Sequence, residues 1–161
     1  MSDVASFWGE RGAGCIIRAA DTGRLLVGLR SAEVDHPLTW GTWGGEVEPG
    51  EHVEHSVVRE VFEETGYDGH MLLEKIFTYT HESGFVYDTF MATVPREFEP
   101  SLCWETETAE WFTNGSWPDP LHFGLAAVIA ARPELLGKGR RTSLLSRISG
   151  LRRTLGGRLV R

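Results

Sequence analysis

The chain has only two cysteines in 161 residues, Cys15 and Cys103, some ninety positions apart. They allow one disulfide at most, read more readily as buried reduced thiols, and neither has metal-ligand spacing. No apolar run reaches the roughly 18 residues of a membrane span. The opening "MSDVASFWGERGAG" is acidic and mixed, without a basic-then-apolar leader, so the expectation is a soluble, cytoplasmic protein. There is no internal repeat. Acidic residues are absent after position 137: residues 138–161 hold 8 of the 16 Lys and Arg and none of the 23 Asp and Glu.

What is present suits one globular domain. Apolar residues make up 41% and aromatic residues 11%, enough for a sizeable core but too short a chain for a second full domain. The net charge of −7 conceals −15 over residues 1–137 and +8 over residues 138–161, so the chain divides into a domain, 1–137, and a basic tail, 138–161. An acidic body repels phosphate-bearing ligands unless cations intervene, which hints at a metal if the ligand is a phosphate.

Along the body, "GAGCIIRAA", the turn "DTG" and "RLLVGLRS" predict a buried hairpin. The glycine- and proline-rich stretch "AEVDHPLTWGTWGGEVEPGE" predicts a loop with only short regular structure. A helix is expected over 52–65, with Val53, Val57, Val58, Val61 and Phe62 as its apolar stripe and Gly66 as its stop. "MLLEKIFTYTH", "ESG" and "FVYDTFMATV" predict a second hairpin, and "SLCWETETAEWF" a loop leading to a short strand over 110–112. A helix in "DPLHFGLAAVIAARPELL" should end near Arg132, before Pro133. Strands and helices in this order imply an α+β or α/β sandwich with the first helix packed on a mixed sheet.

That helix carries an electrostatic problem. Glu60, Glu63 and Glu64 stand at i, i+3 and i+4, so their carboxylates leave one face within roughly a 100° arc. Like charges at this spacing destabilise an isolated helix by about 0.2 to 0.5 kcal/mol per pair and raise one another's pKa. A solvated acidic face or neutralisation by Arg59 would be the plain explanations. A hard divalent cation such as Mg²⁺ is another, because it takes oxygen ligands and is shared between carboxylates and substrate phosphates.

The surrounding stretch "GGEVEPGEHVEHSVVREVFEETGY" resembles the Nudix (MutT-like) box. From Gly45 it reads Gly, five residues, Glu51, seven residues, Arg59, Glu60, Val61, one residue, Glu63, Glu64, one residue, Gly66, and Tyr67 where the family usually has an aliphatic residue. The looser resemblance extends over roughly residues 10–132. It implies a Nudix-type α/β/α sandwich and a hydrolase dependent on Mg²⁺ or Mn²⁺. The reaction implied is cleavage of a diphosphate bond in a nucleoside diphosphate linked to another group. Glu60, Glu63 and Glu64 would be metal ligands or, for one of them, the base, and a carbonyl near Gly44 would be a further ligand. Arg59 would orient the cluster with Glu51 as its partner. A distant acid is often recruited in this family; Glu105, Glu107 and Glu110 are the choices, with Glu105 favoured. Trp40 and Trp43 either stack on a base or lid the core. A Nudix-fold nucleotide- or RNA-binding module without turnover is the rival reading, and the complete set of box glutamates speaks against it.

In the tail, Leu144, Ile148, Leu151, Leu155 and Leu159 recur every three or four residues with arginines between them. This is the pattern of a basic amphipathic helix, weakened by Gly150, Gly156 and Gly157. Its surface would be the acidic body first, or a second subunit, RNA or an anionic membrane; a disordered tail is the alternative.

Overall fold

The first hairpin becomes the centre of the fold. In a computed structural model that describes residues 10–136 and 158–159, β1 (Arg11–Ala19) is buried along nearly its whole length, so both of its faces are covered. It pairs antiparallel with β2 (Leu25–Arg30) at one end, where the Gly23 N–H donates to the Ala19 carbonyl across the turn. At its other end it pairs antiparallel with β4 (Trp43–Glu46), which follows the two-residue β3 (Trp40–Gly41). The second hairpin, β5 (Leu72–Thr80) and β6 (Val86–Val94), joins on the opposite edge through a parallel β1–β6 pair in register from Arg11–Val86 to Ala19–Val94. With β7 (Thr106–Phe112) on β2, and β8 (Arg158–Leu159) on β5 at Tyr79 and Thr80, the mixed sheet has eight strands.

Each face of the sheet has its own core. On one, Val57 and Val61 of α1 (Val53–Thr65) pack with Ala13, Cys15, Ile17, Leu26, Trp43 and Phe90. On the other, Leu125, Val128 and Ile129 of α2 (Phe123–Ala131) cover Ile16, Leu25, Val27 and Met91, with Leu135 of a short 3₁₀ turn, Pro133–Leu136, beside them. The result is the expected α/β/α sandwich. Both cysteines are free thiols.

Two expectations need correction, and a third falls mostly outside the described residues. The apolar stripe on α1 is narrower than its sequence suggests: Val58 and Phe62 are 44% and 55% exposed, because only the Val57–Val61 line faces the sheet. The strand expected over 110–112 begins at Thr106, held along β2 by a register that ends at Thr106–Arg30. Of the tail, the helix expected across residues 144–159 and the boundary at 137 lie outside the described residues, apart from Arg158–Leu159, which pair as a strand. Among the described residues no helix is long and apolar enough to cross a membrane.

Candidate active site

The glutamates meet the glycine-rich strand because α1 begins a few residues after β4 and lies back over it. Gly66, at φ 70°, ends the helix as a left-handed cap whose N–H donates to the Phe62 carbonyl. At the β4 end, Glu60 is pressed so closely on Gly45 that a Cβ there would stand 2.7 Å from Oε1. Gly44, at φ 149°, donates its N–H to Glu64 Oε2 at 2.8 Å. The glycine pair therefore gives two carboxylates direct access to backbone.

Arg59 organises the outer side. Its Nε and Nη2 donate to the two Glu51 oxygens at 3.0 and 3.1 Å, a paired geometry that fixes both side chains. Nη1 reaches Glu60 at 2.7 Å and Glu63 at 3.2 Å, and Nη2 also donates to the Glu46 carbonyl. Sequence reasoning did not foresee Glu46 or Ser56, whose hydroxyl meets both that carbonyl and Arg59. The Arg59 hydrogen bonds hold the Glu51 carboxyl below its ordinary range and the guanidinium above its own.

Glu60 and Glu64 behave oppositely to Glu51. Burial raises Glu60 more than Arg59 lowers it, and the charges of Glu63 and Glu105 raise it further. Glu64 is pushed to about 8, first by burial and then by Glu60 and Glu105, against the Gly44 N–H and the charge of Arg30. The charge of Glu105, which lies just before β7 with its own carbonyl accepting from the Ser31 N–H, contributes to both rises. Gly44 lies at the cluster through its amide; the structure gives its carbonyl no partner role.

The tryptophans separate. Trp43 is 2% exposed and donates from its indole to the Leu26 carbonyl, so it belongs to the core. Trp40 packs edge-on against Phe112 beneath α2. His122 caps α2: its Nδ1 accepts from the Gly124 N–H, and burial pushes it down to about 3.

Among the described residues no three His, Cys, Asp or Glu side chains close on one point as they stand. Glu60 and Glu63 are turned onto Arg59 instead. The donor set nevertheless fits a hard divalent cation. It is all oxygen, it is crowded on a rigid helix, and its three glutamates outnumber the one guanidinium on that helix that Glu60 and Glu63 share.

The family model for the NUDIX domain matches residues 9–131, and the chain therefore belongs to the Nudix hydrolase family. Members act on nucleoside diphosphate derivatives and generally use divalent metals. A MutT Nudix hydrolase from Burkholderia pseudomallei superposes with a TM-score of 0.60 at 25% identity, over 76% of this chain and 97% of its own. The Nudix hydrolase RenU from M. smegmatis gives a TM-score of 0.58 at 19% identity, over 96% of this chain and 92% of its own. An Ap4A hydrolase from C. elegans gives a TM-score of 0.53 at 21% identity, over 89% of this chain and 98% of its own. The latter two likenesses concern the fold alone. No curated protein sequence matches this chain significantly.

Proposed function

We propose that this chain is a Mg²⁺- or Mn²⁺-dependent pyrophosphohydrolase that cleaves the diphosphate bond of a nucleoside diphosphate linked to another group. The observation that carries the reading is the seating of Glu60 and Glu64 side by side on the Gly44–Gly45 backbone, where burial first, and then the charges of Glu60 and Glu105, raise Glu64 to about 8. Glu60, Glu63, Glu64 and Glu105, with the Gly44 carbonyl, would hold the cation. A cation there neutralises phosphate charge and makes bound water more acidic. A carboxylate of the cluster takes the proton from the attacking water, whose oxygen bonds to phosphorus as the bridging P–O bond breaks and the second phosphate leaves. Arg59, fixed by Glu51, holds Glu60 and Glu63 in place.

The test is a metal-supplemented screen of nucleotides, nucleotide sugars, ADP-ribose and dinucleoside polyphosphates in ¹⁸O-water, identifying both products. Metal-dependent release of two phosphate-bearing products, one labelled on phosphorus, is expected. Undiminished turnover in chelator, or label found on carbon, would refute the reading.

A further inference from the structure

Tyr87 is the most tightly placed side chain near the site that the mechanism above does not use. It points from β6 across the neighbouring β1 onto the end of β4, and three glycines make room for it. A Cβ on Gly12 would stand 2.6 Å from Tyr87 Cδ2. One on Gly14 would overlap the Tyr87 hydroxyl, and one on Gly44 would come within 2.9 Å of it. Glycine weakens a strand interior, so two of them in β1 signal a close approach, and the approaching group is this phenol.

The location of the hydroxyl separates Tyr87 from a plain packing residue. A phenol on a strand normally turns its polar end to water. This one ends at the paired backbones of Gly14 and Gly44, with the Thr42 side chain beside it. On the same short strand the Gly44 N–H holds Glu64 at 2.8 Å. The phenol packs on the Gly44 backbone while the carboxylate takes its N–H, so the two meet one residue from two sides.

We propose that Tyr87 is a positioning residue that fixes the Gly44 peptide, and through it Glu64, for divalent cation binding. The proposal rests on the metal reading above. Supporting groups one step removed from a metal ligand typically alter affinity by about 10- to 100-fold when removed. Thr42, beside the hydroxyl, acts in the same direction more weakly.

Mn²⁺ binding, measured by calorimetry and by electron paramagnetic resonance on the full chain without substrate, tests this. Tyr87→Phe keeps the ring over the glycines and removes only the hydroxyl. It should weaken Mn²⁺ binding by about tenfold while the thermal midpoint in chelator stays within ~2 °C of the unaltered protein. Thr42→Val should weaken binding less. Unchanged Mn²⁺ affinity in both variants, with Glu64→Gln still abolishing binding, would overturn the role of Tyr87 alone. An unaltered protein that binds no Mn²⁺ would overturn the metal reading and this proposal together.

Discussion

Asp88 and Glu64 show two ways for a fold to hold a carboxylate away from water. Asp88, 1% exposed, accepts from Arg11 at 2.5 Å and from Thr78 at 2.6 Å, with Lys75 at 3.6 Å. Burial pushes its carboxyl up, but these partners outweigh burial and leave it below the usual range. Glu64 has one backbone N–H and two acidic neighbours, and burial first, then their charges, raise it to about 8. The first site is electrostatically closed. The second is open to positive charge from outside the chain, and that difference distinguishes a structural acid from one kept for chemistry.

Exchanging the charge at each site gives the sharpest break of this comparison. Glu64→Gln should lower turnover on the order of a thousandfold, ~4 kcal/mol in barrier, while its midpoint in chelator holds or rises because the buried side chain no longer has to take up a proton on folding. Steady-state kinetics and thermal melts on the same preparation decide it. Asp88→Asn should do the reverse. It should lose about 2 kcal/mol of stability, or roughly 4 to 8 °C in midpoint, with turnover per folded molecule retained; Arg11 and Lys75 can regain water, which limits the loss.

A smaller effect separates the acids of β7. Glu105→Gln should reduce turnover at least about tenfold more than Glu107→Gln or Glu110→Gln, some 1.4 kcal/mol in barrier. Equal, small losses in all three would leave this stretch as ordinary surface.

The smallest signal is in pH dependence. Glu64 has its folded pKa raised above the unfolded value of 4.5 to about 8, so the folded state binds more protons between those values. The midpoint in chelator should therefore fall as pH rises through that window, and Glu64→Gln should flatten the decline. Asp88 has the opposite sign: its lowered pKa gives stability that is present above the unfolded value of 3.8 and lost as pH falls below it. A chelated protein whose midpoint rises between pH 5 and 8 would contradict the assignment for Glu64.

What could be read in advance was mostly local. The two hairpins, α1 with its stop at Gly66 and α2 ending at Arg132 follow from apolar patterning and glycine or proline punctuation within a few residues. The cluster of Glu60, Glu63 and Glu64 was legible because helical spacing alone places them on one face. The parallel β1–β6 pair was not, since nothing in either segment names its partner. The same limit hid Asp88, which is satisfied by Arg11 from across that pairing, and Tyr87, whose glycines are visible in the sequence while their occupant is not. Val58 and Phe62 misled for another reason: apolar patterning cannot say how flat a helix lies on its sheet.

The parallel pair also bears on synthesis. Arg18 and Thr93 face each other across it and stand 75 positions apart in the chain. At about 5 to 20 residues per second on the ribosome, the strand that completes this edge of β1 arrives about 4 to 15 s after β1 itself. Meanwhile β2 can pair, but the apolar run "CIIRA" keeps one row of amides and carbonyls open beside the growing chain. The most deeply enclosed strand of the finished enzyme is thus the one that a nascent chain must shield longest.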